Sequence, residues 1–154
     1  IFNIKNYNSI CKKNYLTKKY LPADIFSLIK HGIMEGIVFL VENKQYLESE
    51  DFTPLMAACK YKNKQSVNIV KFLLEHGEDP NEEIHGGLTP LFFAIKWNSS
   101  LEIIKLLIDY GAYTNRRDWS GRKPKDYIVF WQDEQKENEI CKLLKNHKSP
   151  HSFY

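Results

Sequence analysis

The sequence predicts an all-α solenoid, built of short helix-turn-helix units stacked side by side. Three observations carry that expectation. Thr53-Pro54-Leu55 returns 36 residues on as Thr89-Pro90-Leu91, and a degraded copy, Lys123-Pro124-Lys125, follows 34 residues after that. An apolar helical stretch lies downstream of each: Val67-Asn68-Ile69-Val70-Lys71-Phe72-Leu73-Leu74, then Leu101-Glu102-Ile103-Ile104-Lys105-Leu106-Leu107-Ile108, then Glu139-Ile140-Cys141-Lys142-Leu143-Leu144. The first two stretches close on Gly77 and Gly111, again 34 apart. Self-similarity at a fixed period of roughly 20–50 residues marks a repeat architecture.

Taken in order, residues 1–21 hold five lysines (Lys5, Lys12, Lys13, Lys18, Lys19) and no acid. They are expected to form a basic arm or an extra helix, with Leu16, Tyr20 and Leu21 as its apolar face. In the unit that starts at Thr53, the threonine is expected to supply an N-cap oxygen. Pro54 can then open the helix without losing a hydrogen bond. Helices are expected over 54–62 and 67–76, and Gly77 can take the left-handed conformation that ends the second. The unit that starts at Thr89 repeats this plan. One such pair of helices cannot bury its apolar faces alone, so neighbours must stack. The last unit replaces Thr and Leu by Lys123 and Lys125 and carries a polar stretch, 132–138, expected to be an extended loop. A polar end suits the terminus of a stack. Residues 148–154 read as a frayed tail: His147 and His151 are four apart, but Pro150 lies between them.

These residues resemble a known family. Thr53-Pro54-Leu55-Met56-Ala57-Ala58 with Glu78-Asp79-Pro80-Asn81 is similar to the ankyrin repeat. So is Gly87-Leu88-Thr89-Pro90-Leu91-Phe92-Phe93-Ala94 with Gly111-Ala112 and Asn115. Residues 24–30, Gly32 and Met34–Glu42 resemble the family's amino-terminal capping unit. The resemblance implies an ankyrin-repeat domain over 22–147: cap 22–47, repeat 48–82, repeat 83–116 and C-terminal capping repeat 117–147. It also implies hairpin-like finger loops between units. The family's His after Thr-Pro-Leu is replaced by Met56, Phe92 and Asp126, which weakens the inter-repeat hydrogen bonding assigned to it.

Composition narrows the function. Hydrophobic residues make up 43% and charged residues 27%, an ordinary globular balance rather than a disordered or membrane one. No stretch approaches the ~18 consecutive apolar residues that a membrane span needs. The net charge is +3, so outside the arm it is 3 − 5 = −2. The cysteines (Cys11, Cys59, Cys141) are odd in number and lack CxxC spacing. They argue against a disulfide framework or a zinc site and fit a reducing, intracellular setting, cytoplasmic or nuclear. The first residue is Ile1 rather than Met, which leaves open that the segment was cut from a longer chain.

The candidate chemical groups all have structural uses. Cys59 and Cys141 occupy positions of small buried hydrophobes. His31 and His76 precede a closing Gly and suit the capping of helix carbonyls. Asn81 and Asn115 follow matching turns and are expected to shape the loop toward the next repeat. No Gly-rich phosphate loop, G-x-S-x-G or H-E-x-x-H is present. The expectation is therefore no catalysis, no cofactor and no metal.

The surface is more telling. The resemblance implies binding through two strips, the finger turns and the exposed end of each first helix. By register the helix ends hold Lys60-Tyr61, Lys96-Trp97 and Phe130-Trp131. Tyr61, Trp97 and Trp131 are spaced 36 and 34 apart, so an aromatic row is expected. The finger position before Thr holds Phe52, Leu88 and Arg122, and Glu50, His85, Arg117 and Trp119 lie further out. Exposed aromatics and arginines are the residue types that dominate interfaces. The expected partner is another protein, held by a module that is monomeric by itself, with no small-molecule substrate and no membrane insertion. Nucleic acid on the Lys- and Tyr-rich arm is a distant alternative. Two further readings stay open. Lys outnumbers Arg 19 to 3, which fits an AT-rich viral or pathogen genome and capture of a host signalling factor in the host cell. The segment also fits as the interaction part of a larger enzyme, channel or scaffold.

Overall fold

Asp24 opens the first described helix by accepting a hydrogen bond from the Ser27 amide at 3.1 Å. The structure is a computed structural model and describes residues 24–44, 52–130 and 133–147. The basic arm, the tail, Glu50 and Trp131 lie outside the described residues. Helix α1 (Ile25–His31) turns at Gly32 into α2 (Met34–Glu42). The second pair is α3 (Pro54–Lys60) and α4 (Ser66–Glu75), and the third is α5 (Pro90–Lys96) and α6 (Leu101–Asp109). The fourth consists of a 3-10 helix, Pro124–Phe130, and α7 (Glu134–Asn146).

The pairs stack in register. First helices contact first helices, α1 on α3 on α5 on the 3-10 helix, and second helices form a layer of α2, α4, α6 and α7. Between the layers, Ile29, Ile37, Leu55, Ile69, Leu73, Leu91, Ile95 and Ile104 are sealed from solvent. Each unit lends an apolar face to its neighbour, so stability is shared between adjacent units rather than held by any one of them.

Local signals explain most of the element ends. Thr53 Oγ1 accepts from the Met56 amide at 3.2 Å, as its place before Pro54 predicts. Thr89 differs: it is buried but makes no side-chain cap bond. Gly77 and Gly111 take φ of 94° and 90°, where a Cβ would be strained. His31 and His76 each place Nδ1 2.8 Å from a carbonyl oxygen four residues back, Ser27 and Phe72. Helix α3 stops sooner than expected, because Tyr61 takes an extended backbone.

Two expectations need correcting. The polar stretch of the last unit is not an extended loop, since 134–138 form the opening turns of α7. Asp133 accepts from the Lys136 amide at 3.0 Å, and Glu134 and Glu137 occupy the helix's positive end, where carboxylates are favoured. Cys141 is only partly buried, and with Leu144 and Lys145 it lines a cavity of about 180 Å³. Cys59 is buried as expected, and burial pushes its thiol far above the ordinary range.

Polar side chains also join the units. Asn63 Nδ2 donates to Ile29 O at 2.8 Å, and Ser99, 36 residues later, donates through Oγ to Cys59 O. Equivalent loop positions thus cap the first helix of the preceding unit. Asn81 does the loop-shaping work expected of it: Nδ2 donates to Gly111 O at 2.9 Å, and Oδ1 accepts from the Tyr113 amide at 2.8 Å. Asn115 is exposed, and in the third unit it is Thr114 that reaches forward, to His147 O in the last unit.

Candidate protein-interaction surface

Two groups of side chains assemble on the edges of the stack. The first forms where α3 and α5 end, with Tyr61 and Trp97 as their C-cap residues. Lys60, the last residue of α3, holds its ammonium 5.3 Å from the Phe52 ring centroid, 5.4 Å from Tyr61 and 5.0 Å from Trp97. A cation facing an aromatic ring gains about 0.5–1 kcal/mol at an exposed site. Tyr61 and Trp97 therefore meet through a charge rather than ring on ring. Lys30 approaches the Tyr61 ring from the preceding unit, at 6.0 Å. Phe52 is turned inward, edge-on to Phe93 at 5.1 Å and tilted on Phe26 at 6.1 Å. It packs three units together. Trp97 stays 42% exposed, and Lys96 beside it is exposed as well.

The same edge continues into the last unit. Lys136 Nζ donates to Oδ1 of Asn98, the residue after Trp97, whose φ of 52° lies in the left-handed region. Burial lowers the Lys136 pKa, and the positive charge of Lys62 lowers it further, against a smaller opposing pull from Asp133. Lys62 and Lys136 thus share one locality.

The second group is formed by the two fingers that precede α5 and the 3-10 helix. Ile84 pairs with Leu88 in a single antiparallel bridge, and Leu88 is half-buried against the core. The next finger docks on this one. The Trp119 amide donates to Gly86 O at 2.9 Å, and the His85 ring meets the Trp119 ring at 4.4 Å. Arg116 pairs with Glu83 across the same joint. Gly87 has φ of 73°, and a Cβ there would stand 2.8 Å from Trp119 Cδ1. Trp119 nonetheless remains 70% exposed, the most exposed large hydrophobic among the described residues.

Beneath the second finger, Asp118 is a buried carboxylate with many donors. It accepts from Tyr127 Oη at 2.5 Å, from Ser120 Oγ at 2.7 Å and from the amides of Ser120 and Arg122 at 2.9 Å. Burial raises its pKa, but these hydrogen bonds outweigh burial and hold the carboxyl well below the usual range. Arg122 Nε lies 3.2 Å from Asp118 Oδ2, and its guanidinium lies 4.7 Å from the Tyr127 ring centre. Arg117 Nη1 donates to Gly121 O at 2.6 Å. Both arginines thus have intramolecular partners within their own finger.

The period of the sequence pointed to Tyr61, Trp97 and the finger residues but not to Lys30, Lys62, Asn98 or Lys136, which the stack brings to the same edge. Nor did it indicate the Asp118–Tyr127 pair. Among the described residues there is no cluster of His, Cys, Asp or Glu able to hold a metal ion, and no helix long and apolar enough to cross a membrane.

A family model of ankyrin repeats, in three copies, matches residues 25–118, from the start of α1 to the buried aspartate of the second finger. The chain belongs to the ankyrin-repeat family. Its layered helix pairs and left-handed glycines are the all-α ankyrin solenoid that the repeat pattern implies. No match to a curated protein is found. Ankyrin repeats generally serve as protein–protein interaction modules rather than as catalysts. In this ankyrin domain the Lys60 cluster and the Trp119 finger are the two edges that carry exposed large aromatics.

Proposed function

We propose that this ankyrin domain holds one partner protein across its first-helix ends and its fingers, and that it carries out no reaction of its own. The observation behind this reading is the exposure of two large aromatics, Trp97 at 42% and Trp119 at 70%, each fixed by a neighbour from an adjacent unit. Exposed rings held rigid lose little entropy on binding, and Trp is enriched among residues that dominate interface energy. Lys60, Tyr61 and Lys96 extend the Trp97 edge, His85 packs on Trp119, and Arg117 and Arg122 belong to the same finger as Trp119. Phe52 and Leu88 support these edges from below. Trp131 would continue the first edge by repeat spacing.

Affinity capture from cells, followed by mass spectrometry, tests this reading. Trp97→Ala and Trp119→Ala, singly and together, should keep the thermal unfolding of the parent while losing most of the captured protein. Capture unchanged in the folded double variant rules the surface out.

A further inference from the structure

The edge that carries Trp97 has a chemical character of its own. Lys30 at the end of α1, Lys60 and Lys62 at and beyond the end of α3, and Lys136 in the first turn of α7 lie along it. Lys30, Lys60 and Lys136 are linked through Tyr61, Trp97 and Asn98, and exposed Lys62 directly follows Tyr61 in the chain. The ion pairs found among the described residues leave out Lys30, Lys60 and Lys62; they join Lys71 to Glu75, Lys105 to Glu139, Arg116 to Glu83 and Arg122 to Asp118. Lys136 is held at this edge by its bond to Asn98, so a carboxylate seated here meets several ammonium groups, and none of those ion pairs already neutralises Lys30, Lys60 or Lys62.

Building on the protein-binding reading, we propose that this edge takes an acidic, extended segment of the partner protein. Its carboxylates pair with Lys30, Lys60 and Lys62, and an apolar side chain lies on Trp97. Helices stack at about 8–10 Å and an extended chain advances about 3.3 Å per residue, so roughly eight residues span the four units. Charge favours a short acidic peptide over a nucleic acid. Outside the amino-terminal arm the chain carries a net charge of −2. The lysine edge is thus a local positive strip on a mildly acidic body, which suits a short acidic segment confined to that strip.

The test uses the full chain and a fluorescein-labelled peptide of alternating Glu and Asp around a central Leu, on the order of ten residues long. Fluorescence anisotropy should report binding that weakens as salt rises. Lys60→Gln with Lys62→Gln should weaken it about five- to tenfold. Lys62→Glu alone, which leaves the ring contacts of Lys60 in place, should weaken it at least as much as Lys62→Gln alone. Trp97→Ala should erase the preference for the Leu-containing peptide over one with Gly in its place. Replacing Lys12, Lys13, Lys18 and Lys19 of the arm by Gln, or the ion-paired Lys71 and Lys105 by Gln, should leave affinity within about twofold.

Three results overturn the proposal: no binding of the acidic peptide, binding lost with the arm lysines instead, or an oligothymidylate bound more tightly than the peptide at the same salt. If cellular capture still depends on Trp97 while the peptide fails, this inference falls and the protein-binding reading stands. If capture ignores Trp97 and Trp119, the reading itself falls.

Discussion

Tyr127 Oη donates to Asp118 Oδ2 at 2.5 Å, joining the 3-10 helix of the last unit to the finger before it. The carboxylate is buried, and its remaining bonds come from Ser120 and Arg122. This contact fixes the finger that displays Trp119. Asp118→Asn should therefore destabilise the domain by about 2 kcal/mol, because donors gathered around a charge lose their acceptor. Tyr127→Phe should cost about 1 kcal/mol. Urea unfolding of both variants measures the difference.

The same carboxylate gives a signed pH dependence. Its folded pKa lies below the unfolded one, so the unfolded state binds the proton more readily. The stabilisation is then fully present above the unfolded value of about 4. It is lost as pH falls through that value toward the folded one. Melting temperatures measured from neutral pH down to acid should drop more steeply in the parent than in Asp118→Asn. Parallel curves would exclude the carboxylate as a source of acid sensitivity.

Gly87 and Gly111 separate backbone strain from steric conflict. Both have positive φ, at 73° and 90°, but a Cβ at Gly111 meets nothing within 4 Å, whereas one at Gly87 meets the Trp119 ring. Gly111→Ala should cost about 1 kcal/mol from its backbone alone. Gly87→Ala should cost more and shift the Trp119 fluorescence, since the ring must move. Equal costs with unchanged emission would mean that the two fingers are not in contact.

Asn81 spans two units through its side-chain amide, donating to Gly111 O and accepting from the Tyr113 amide. In Asn81→Ala the stability should fall by about 1–2 kcal/mol. Amide exchange at Tyr113 should accelerate well beyond the average for the domain. Uniform acceleration would point to a general loss of stability instead of a local staple.

The two described cysteines should differ in reactivity. Cys59 is sealed inside α3 with its thiol held protonated, while Cys141 is half-buried beside a cavity. A thiolate is the reactive form. An aromatic disulfide reagent should modify Cys141 in the folded protein and reach Cys59 only on unfolding. Peptide mapping after brief labelling distinguishes them, and early modification of Cys59 would contradict the packing of the first-helix layer.

The sequence by itself determined the helix pairs, their period and most of their ends. Those features rest on local physics: apolar residues at helical spacing, Thr-Pro starts such as Thr53-Pro54, and closing glycines such as Gly77. The same local signals made His31, His76 and Asn81 legible as structural groups. The tertiary structure decided which side chains meet across units. It set the Lys60 ammonium among Phe52, Tyr61 and Trp97, turned Phe52 inward onto Phe93, and placed Tyr127 on Asp118. It also made 134–138 a helix, because Asp133 caps what composition alone presents as a polar loop. The reason is one of scale. Helix signals act within about four residues of chain, whereas these contacts depend on how neighbouring units stack, at sequence separations that no local pattern encodes.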